Sequence, residues 1–210
     1  MGSFVSNTER GVNTVYDQAR RLVAAGISII PIKADGSKAP AGSVLPADPQ
    51  NPERRTWNPF RERLASEEEL RRWFGNGRRL GIAAVGGAVS GHLEQIDFDD
   101  AAIFAPYREL VEQAAPGLLA RLVQIGTPRP GWRLVYRCEQ PVEGNQVLAK
   151  RLMPGDDKHP APWPKALIET RGEGGYAICP GSPPEVHESG KPYMPCLLYT
   201  SDAADDLTRV

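Results

Sequence analysis

The chain has 210 residues, 40% of them hydrophobic and 24% charged, a balance that predicts a soluble globular protein able to bury a sizeable core. Its net charge of −1 lacks the basic excess that usually marks a nucleic-acid-binding protein. No apolar run is long enough for a membrane span, and the first residues lack the apolar segment of a secretory signal. Three widely spaced cysteines, Cys138, Cys179 and Cys196, predict reduced thiols, no zinc site and a cytoplasmic location.

An amphipathic pattern begins the chain. Apolar residues recur at spacings of three and four over residues 8–25, which predicts a helix that ends at Gly26. Residues 27–33 are rich in isoleucine and predict a short strand, in which Pro31 favours a position at a sheet edge. A polar, proline-rich stretch then predicts a long loop to about Thr56.

The middle of the chain contains the next clear elements. A capping-box pattern predicts a second helix over residues 66–74, and residues 80–85 predict a buried strand. Residues 92–99 predict a strand that ends in acidic residues. Asp100 then caps a helix that ends at Pro106 or beyond it, with Ala114 as the far limit.

The last part is richer in strands. Strands are predicted at residues 122–125, 132–137, 166–170 and 176–179. Residues 144–151 suggest a short helix, and the glycines of residues 172–175 predict a tight hairpin between the last two strands. Because helices and strands alternate first and strands dominate later, the sequence predicts an α+β or mixed-sheet domain, not a doubly wound one.

The acidic strand end is the first candidate site. Asp97 and Asp99 are two residues apart in a strand, so their side chains share one side while Ile96 and Phe98 face the core. Two adjacent carboxylates repel each other, and a hard divalent cation such as Mg2+ or Mn2+ is their natural partner. The alternative is a solvated strand end whose Asp100 only caps the next helix.

A third acid, Glu169, lies in the predicted strand 166–170. If that strand pairs beside the strand of Asp97, three carboxylates converge, as a two-metal site for phosphoryl transfer requires. The alternative is that Glu169 pairs with Arg171 or Lys165 on a solvated face.

Basic residues near these acids are candidates for phosphate binding. Arg129 lies in a predicted turn and Arg133 on the following strand, and guanidinium groups bind phosphate oxygens in a bidentate manner. The alternative is that these arginines are ordinary surface cations with no ligand. No GxxxxGK[ST] loop is present, and the glycines after Arg171 lead into a strand, which excludes a dinucleotide fingerprint. The three histidines show no metal-ligand spacing, and His187 is the one nearest to a candidate residue, Ser182.

The C-terminal residues 196–210 have a different character. The stretch CLLYTSDAADD resembles the translated end of a sequencing adapter. We therefore expect residues 196–210 to be disordered and the natural chain to have been truncated near Pro195.

Five stretches occur in a specific order: GSKAP, GIAAVGGAVSG, IDFDD, TPRPGWRLVYR and IETRGEGGYAICPGS. Together they resemble the bifunctional DNA primase/polymerase (prim-pol) family of the archaeo-eukaryotic primase superfamily, phage and plasmid type, over residues 17–195. The resemblance implies one prim-pol domain over residues 8–195. It also implies an archaeo-eukaryotic primase-like fold, in which an N-terminal α/β unit packs on an RRM-like mixed or antiparallel catalytic sheet.

The resemblance also assigns roles to residues. Asp97, Asp99 and Glu169 match the catalytic acids that bind Mg2+ or Mn2+. Arg133 stands where the family usually has a histidine that contacts the phosphates of the incoming nucleotide. Arg129 and Arg171 are expected to help bind the triphosphate. Ser182 matches a turn that the family places near the nucleotide.

The implied activity is template-directed nucleotidyl transfer by a DNA primase/polymerase. The expected partners are a single-stranded DNA template, nucleoside triphosphates and a helicase domain that follows Pro195. Two alternatives stay open at this point. One is a catalytically weakened primase-like module that binds DNA or nucleotide beside a helicase, which the substitution at Arg133 favours. The other is a metal-dependent nuclease or phosphatase that uses the same acids.

Overall fold

The structure is a computed structural model that describes residues 14–75 and 77–195. The segment 196–210, predicted to be disordered, and residues 8–13 of the predicted first helix lie outside the described residues. The described helices are α1 (Val15–Ala24), α2 (Glu67–Phe74) and α3 (Ala101–Ala114). The described strands are β1 (Ile29–Lys33), β2 (Ala47–Asp48), β3 (Asn51–Arg55), β4 (Leu80–Val85), β5 (Leu93–Phe98), β6 (Val123–Thr127), β7 (Gly131–Arg137), β8 (Val147–Met153), β9 (Trp163–Arg171), β10 (Tyr176–Ile178) and β11 (Met194–Pro195).

Local sequence signals determine where the helices begin. Helix α1 follows Thr14, whose hydroxyl accepts the Asp17 N–H while the Asp17 carboxylate accepts the Thr14 N–H. Helix α2 has the same reciprocal cap from Ser66 and Glu69, as the sequence predicts. Asp100 accepts the Ala102 N–H and begins α3. The predicted starts of α2 and α3 are therefore confirmed.

Two antiparallel sheets organise the domain. The smaller sheet has the order β1-β4-β10, with β1 at an edge as Pro31 predicts. The larger sheet has the order β11-β6-β7-β5-β9-β8. Helices and antiparallel strands in one chain confirm the α+β class; the finer primase-like arrangement stays a prediction.

Each face of the larger sheet packs into its own apolar cluster. One face joins the smaller sheet, α1 and α2 in the main core, to which it contributes Leu93, Ile125 and Val135. The other face packs against α3, where the Phe98 and Phe104 ring centroids lie 5.0 Å apart. The alternation of the strands therefore directs one set of side chains toward the smaller sheet and the other toward α3.

Three local predictions are wrong. Residues 144–151 form no helix: most belong to β8, whose backbone pairs with β9 and so gains partners that a helix would supply locally. Residues 172–175 form no hairpin, because β9 lies in the larger sheet and β10 in the smaller one. The predicted loop between residues 34 and 56 contains the small hairpin of β2 and β3.

Among the described residues, no helix combines the length and apolar character needed to cross a bilayer.

Candidate active site

Strand register brings the predicted acids together. In the larger sheet, Asp97 on β5 is directly opposite Arg133 on β7 and directly opposite Glu169 on β9. Side chains opposite one another in adjacent strands lie on the same face of a sheet. Asp99 follows two residues later, just past the end of β5, and is exposed. We call Asp97, Asp99 and Glu169 the acidic row.

The acidic row lines a cleft of about 560 Å³ where the larger sheet meets the smaller sheet and the loops beside it. Arg129, Arg133 and Arg171 line the same cleft. The structure therefore brings six of the seven predicted site residues to one place.

Ser182 is the predicted site residue that the structure places outside the residues lining this cleft. It is buried, and its hydroxyl accepts the Ile82 N–H at 2.9 Å and lies 3.2 Å from the Ile82 carbonyl oxygen. These bonds attach the turn after β10 to β4. Because the hydroxyl is already satisfied by the backbone, a contact between Ser182 and a nucleotide stays a prediction.

Arg133 is fixed by an ion pair inside the protein. Its side chain is only 6% exposed, and its Nε donates to Asp97 Oδ1 at 2.6 Å. Its Nη1 donates to the Ile178 carbonyl oxygen, also at 2.6 Å. Burial alone lowers the pKa of Arg133, but the charge and hydrogen bond of Asp97 raise it above its ordinary value. Arg133 is therefore a permanent cation that holds Asp97 in place.

Arg171 pairs with one oxygen of Glu169 and one oxygen of Asp97. Its Nη2 donates to Glu169 Oε2 at 2.6 Å, and its Nε lies 3.7 Å from Asp97 Oδ2. The alternative in which Glu169 pairs with Arg171 is thus present in the structure, although inside the cleft and not on a solvated face. Arg171 is 34% exposed and has more freedom to leave its partners than Arg133.

The acidic row fits a hard divalent cation by its chemistry, since all three side chains supply carboxylate oxygens. In the described residues, however, no group of three acids, histidines or cysteines stands ready to coordinate one ion. The carboxylates of Asp97 and Glu169 form ion pairs with Arg133 and Arg171 instead. A cation that took Asp97 Oδ1 or Glu169 Oε2 as a ligand would therefore replace a guanidinium, while the backbone register already places the two carboxylates side by side.

Basic side chains from distant segments complete the cleft. Lys38 and His187 line it together with Arg129. An isolated bridge pairs Ser37 with His187. We call Lys38, Arg129 and His187 the basic cluster. Sequence patterns singled out His187 only as a neighbour of Ser182 and gave Lys38 no role. The signal that could have identified Lys38 was its place in the GSKAP stretch, one of the five that carry the family resemblance.

Two aromatic rings also border the cleft. Trp57 and Tyr176 line it and pack edge to face, with their ring centroids 5.3 Å apart. The Tyr176 hydroxyl donates to the Lys38 carbonyl oxygen at 3.4 Å. Aromatic faces of this kind can stack with nucleobases.

The cleft therefore combines an acidic row, flanking arginines and aromatic rings, a set suited to a metal-bound nucleotide. A family model described as bifunctional DNA primase/polymerase, N-terminal, matches residues 19–201. No curated protein matches the chain. Because the family match covers most of the chain, the protein belongs to the bifunctional DNA primase/polymerase family, a class of nucleotidyltransferases that act in DNA replication.

Proposed function

We propose that this protein catalyses template-directed transfer of nucleotides from nucleoside triphosphates to a primer on single-stranded DNA, with Mg2+ or Mn2+ as cofactor. One observation carries the proposal: the register of β5 and β9 places Asp97 and Glu169 side by side in a cleft that Asp99 also lines. Family membership supports the reaction class, and this juxtaposition supports the site.

The acidic row would hold the cations. When bound, they would stabilise the charge that develops on the α-phosphate and lower the pKa of the attacking 3′-hydroxyl. Arg129 and Arg171, 57% and 34% exposed, are the arginines with freedom to contact phosphate oxygens. Arg133 is buried against Ile178, so its role is to position Asp97.

A primer-extension assay with Asp99→Ala and Glu169→Gln tests this site. Both acids are accessible from the cleft, and we expect each variant to lose at least about 100-fold in rate, since one misplaced cation removes several kcal/mol of transition-state stabilisation. Glu139→Ala changes an exposed acid outside the cleft and serves as the control. Parent-like extension by both cleft variants would refute the site. Shortened DNA in place of extended DNA would instead support a nuclease.

The alternative function is a primase-like module that binds nucleotide or DNA without chemistry. The ion pair between Arg133 and Asp97 favours it, because the guanidinium occupies an oxygen that a cation would need. Nucleotide binding by the parent without incorporation, unchanged in Arg133→His, would support this alternative. A phage or plasmid setting and a helicase partner stay predictions of the resemblance.

A further inference from the structure

Lys38 is a half-buried cation in the cleft that makes no ion pair with any described residue. Its backbone φ is 58°, a left-handed conformation that costs a non-glycine residue about 1 kcal/mol. The turn that imposes it is fixed by the Gly36 N–H, which donates to the Glu185 carbonyl oxygen at 2.8 Å. Burial of an unpaired ammonium group is unfavourable, so an anionic ligand is the natural partner of Lys38.

His187 lies beside this turn with one ring nitrogen available. Its Nδ1 accepts the backbone N–H of Ser189 at 3.1 Å, so in the neutral ring the hydrogen is on Nε2. Burial, followed by the charges of Lys38 and Arg129, lowers the pKa of His187 and favours that neutral form. Nε2 has no hydrogen-bond partner among the described residues, and the ring lines the cleft. His187 therefore offers the cleft a neutral N–H donor.

Arg129, in the turn between β6 and β7, completes the basic cluster. It lines the cleft, and its guanidinium pairs with the carboxylate of Glu188. Both side chains of that pair are more than half exposed, so the ion pair contributes little stability and can open at low cost. Glu188 therefore occupies Arg129 only until a stronger anion reaches it.

We propose, resting on the proposed function, that Lys38, His187 and Arg129 form the subsite for the β- and γ-phosphates of the incoming nucleotide. Lys38 supplies a charge, His187 supplies its Nε2–H, and Arg129 leaves Glu188 to bind phosphate oxygens. The resemblance assigns a phosphate contact to position 133, but Arg133 is committed to Asp97 and Ile178. In this chain the basic cluster takes that task and selects triphosphates over monophosphates.

Calorimetric titration of the whole protein with dATP and dAMP in Mg2+ buffer tests the subsite. The parent should bind dATP at least about tenfold more tightly than dAMP. Lys38→Gln should weaken dATP binding about tenfold, the loss of one charge-assisted contact, and leave dAMP binding nearly unchanged. Lys38→Arg should retain most of the affinity. Lys33→Gln removes an exposed lysine at the end of β1, outside the cleft, and should match the parent.

A second variant gives a change of opposite sign. Glu188→Gln frees Arg129 from its ion pair and should strengthen dATP binding severalfold, a result that a folding defect cannot imitate. His187→Gln should weaken dATP binding while a melting curve reports whether the buried site remains folded.

The results distinguish this subsite from the proposed activity. If Lys38→Gln and the parent bind dATP equally, or if the parent binds dATP and dAMP equally, the subsite is overturned, whatever the primer-extension result. If dATP binding depends on Lys38 but the parent extends no primer, the subsite is supported and nucleotidyl transfer is not.

Discussion

The two sheets share one core but bring different side chains to it. The smaller sheet contributes apolar residues that are fully buried, among them Ile30, Ile32 and Ile82. The larger sheet buries polar and charged residues as well, including Arg133 and Gln95. Packing alone explains the smaller sheet. Even a paired buried charge often stabilises a fold no more than apolar residues of similar size would, so the buried ion pair of the larger sheet indicates a function that packing does not provide.

The sheets are also joined by polar contacts at their boundary. Arg133 on β7 donates to the Ile178 carbonyl oxygen on β10, and the side-chain amide of Gln95 lies 3.5 Å from the Ala84 carbonyl oxygen on β4. The residue that positions Asp97 therefore also ties the larger sheet to the smaller one. A change at Asp97 should consequently affect both stability and function, whereas a change in β4 of the smaller sheet, outside the residues that line the cleft, should affect stability alone.

The largest effect on stability is expected for Asp97→Ala. The substitution removes the partner of a guanidinium that is 6% exposed, and an unpaired buried charge costs about 3–5 kcal/mol. Urea denaturation should show this loss in the free energy of unfolding. Asp99→Ala, two residues away and exposed, is the matched control and should change stability by less than about 0.5 kcal/mol. Equal losses for the two variants would show that the buried ion pair contributes no more to stability than an exposed carboxylate does.

The next effect concerns cation affinity. In Arg133→His the residue opposite Asp97 is shorter and neutral at alkaline pH, so Asp97 Oδ1 becomes free for a cation. We expect Mn2+ to bind about tenfold more tightly at pH 8, which corresponds to about 1.4 kcal/mol. A Mn2+ titration followed by electron paramagnetic resonance measures the change. Arg121→His, on the exposed surface, should leave affinity unaltered; a parent-like value for Arg133→His would show that the ion pair does not compete with the cation.

Sequence patterns predicted the neighbouring pair Asp97 and Asp99 because its geometry is local: the two-residue period of a strand places both on one side. Glu169 joins them only through the pairing of β9 beside β5, which local sequence left as a condition. The hairpin prediction at residues 172–175 failed because it also depended on contacts between distant segments. Glycines permit a tight reversal, but whether the next strand joins the same sheet depends on its contacts with β4, which local sequence does not specify.

Local sequence patterns also could not predict the basic cluster. Lys38 and His187 meet through the bridge between Ser37 and His187, whose partners are 150 positions apart in the chain. Arg133 illustrates a related limit: the sequence shows a cation beside the acids but not that its guanidinium is buried in an ion pair. Which groups are free for a ligand is decided by tertiary packing.

A smaller effect is expected from Ile82→Val in β4. The substitution removes one methylene from a fully buried side chain and should lower the free energy of unfolding by about 1 kcal/mol. Mn2+ and dATP affinities should stay at parent values, because the side chain lies outside the residues that line the cleft. Denaturation and titration of the same preparation measure both. A matching loss of ligand affinity would show that the smaller sheet is more than a scaffold.

The smallest effect concerns the cap of α2, the helix that packs near the smaller sheet. Burial raises the pKa of Glu69, but its bonds to Arg63 and to the Ser66 N–H outweigh burial and lower it below its ordinary value. A carboxyl group whose pKa is lower in the folded than in the unfolded protein stabilises the folded state. This contribution is complete at a pH above the unfolded pKa, and it is lost as the pH falls through the folded pKa. Glu69→Gln should therefore be about 1 kcal/mol less stable than the parent at pH 7.

That difference should shrink as the pH falls below about 4.3, the pKa of an unfolded glutamate, and through the lower pKa of folded Glu69. Urea denaturation in steps from pH 7 to pH 3 measures it, with the exposed neighbour Glu68→Gln as the control. A difference that stays constant across this range would mean that the cap works through shape and not through charge. In that case the charge of Glu69 would contribute nothing to the stability of α2, in contrast to the charge of Asp97 in the cleft.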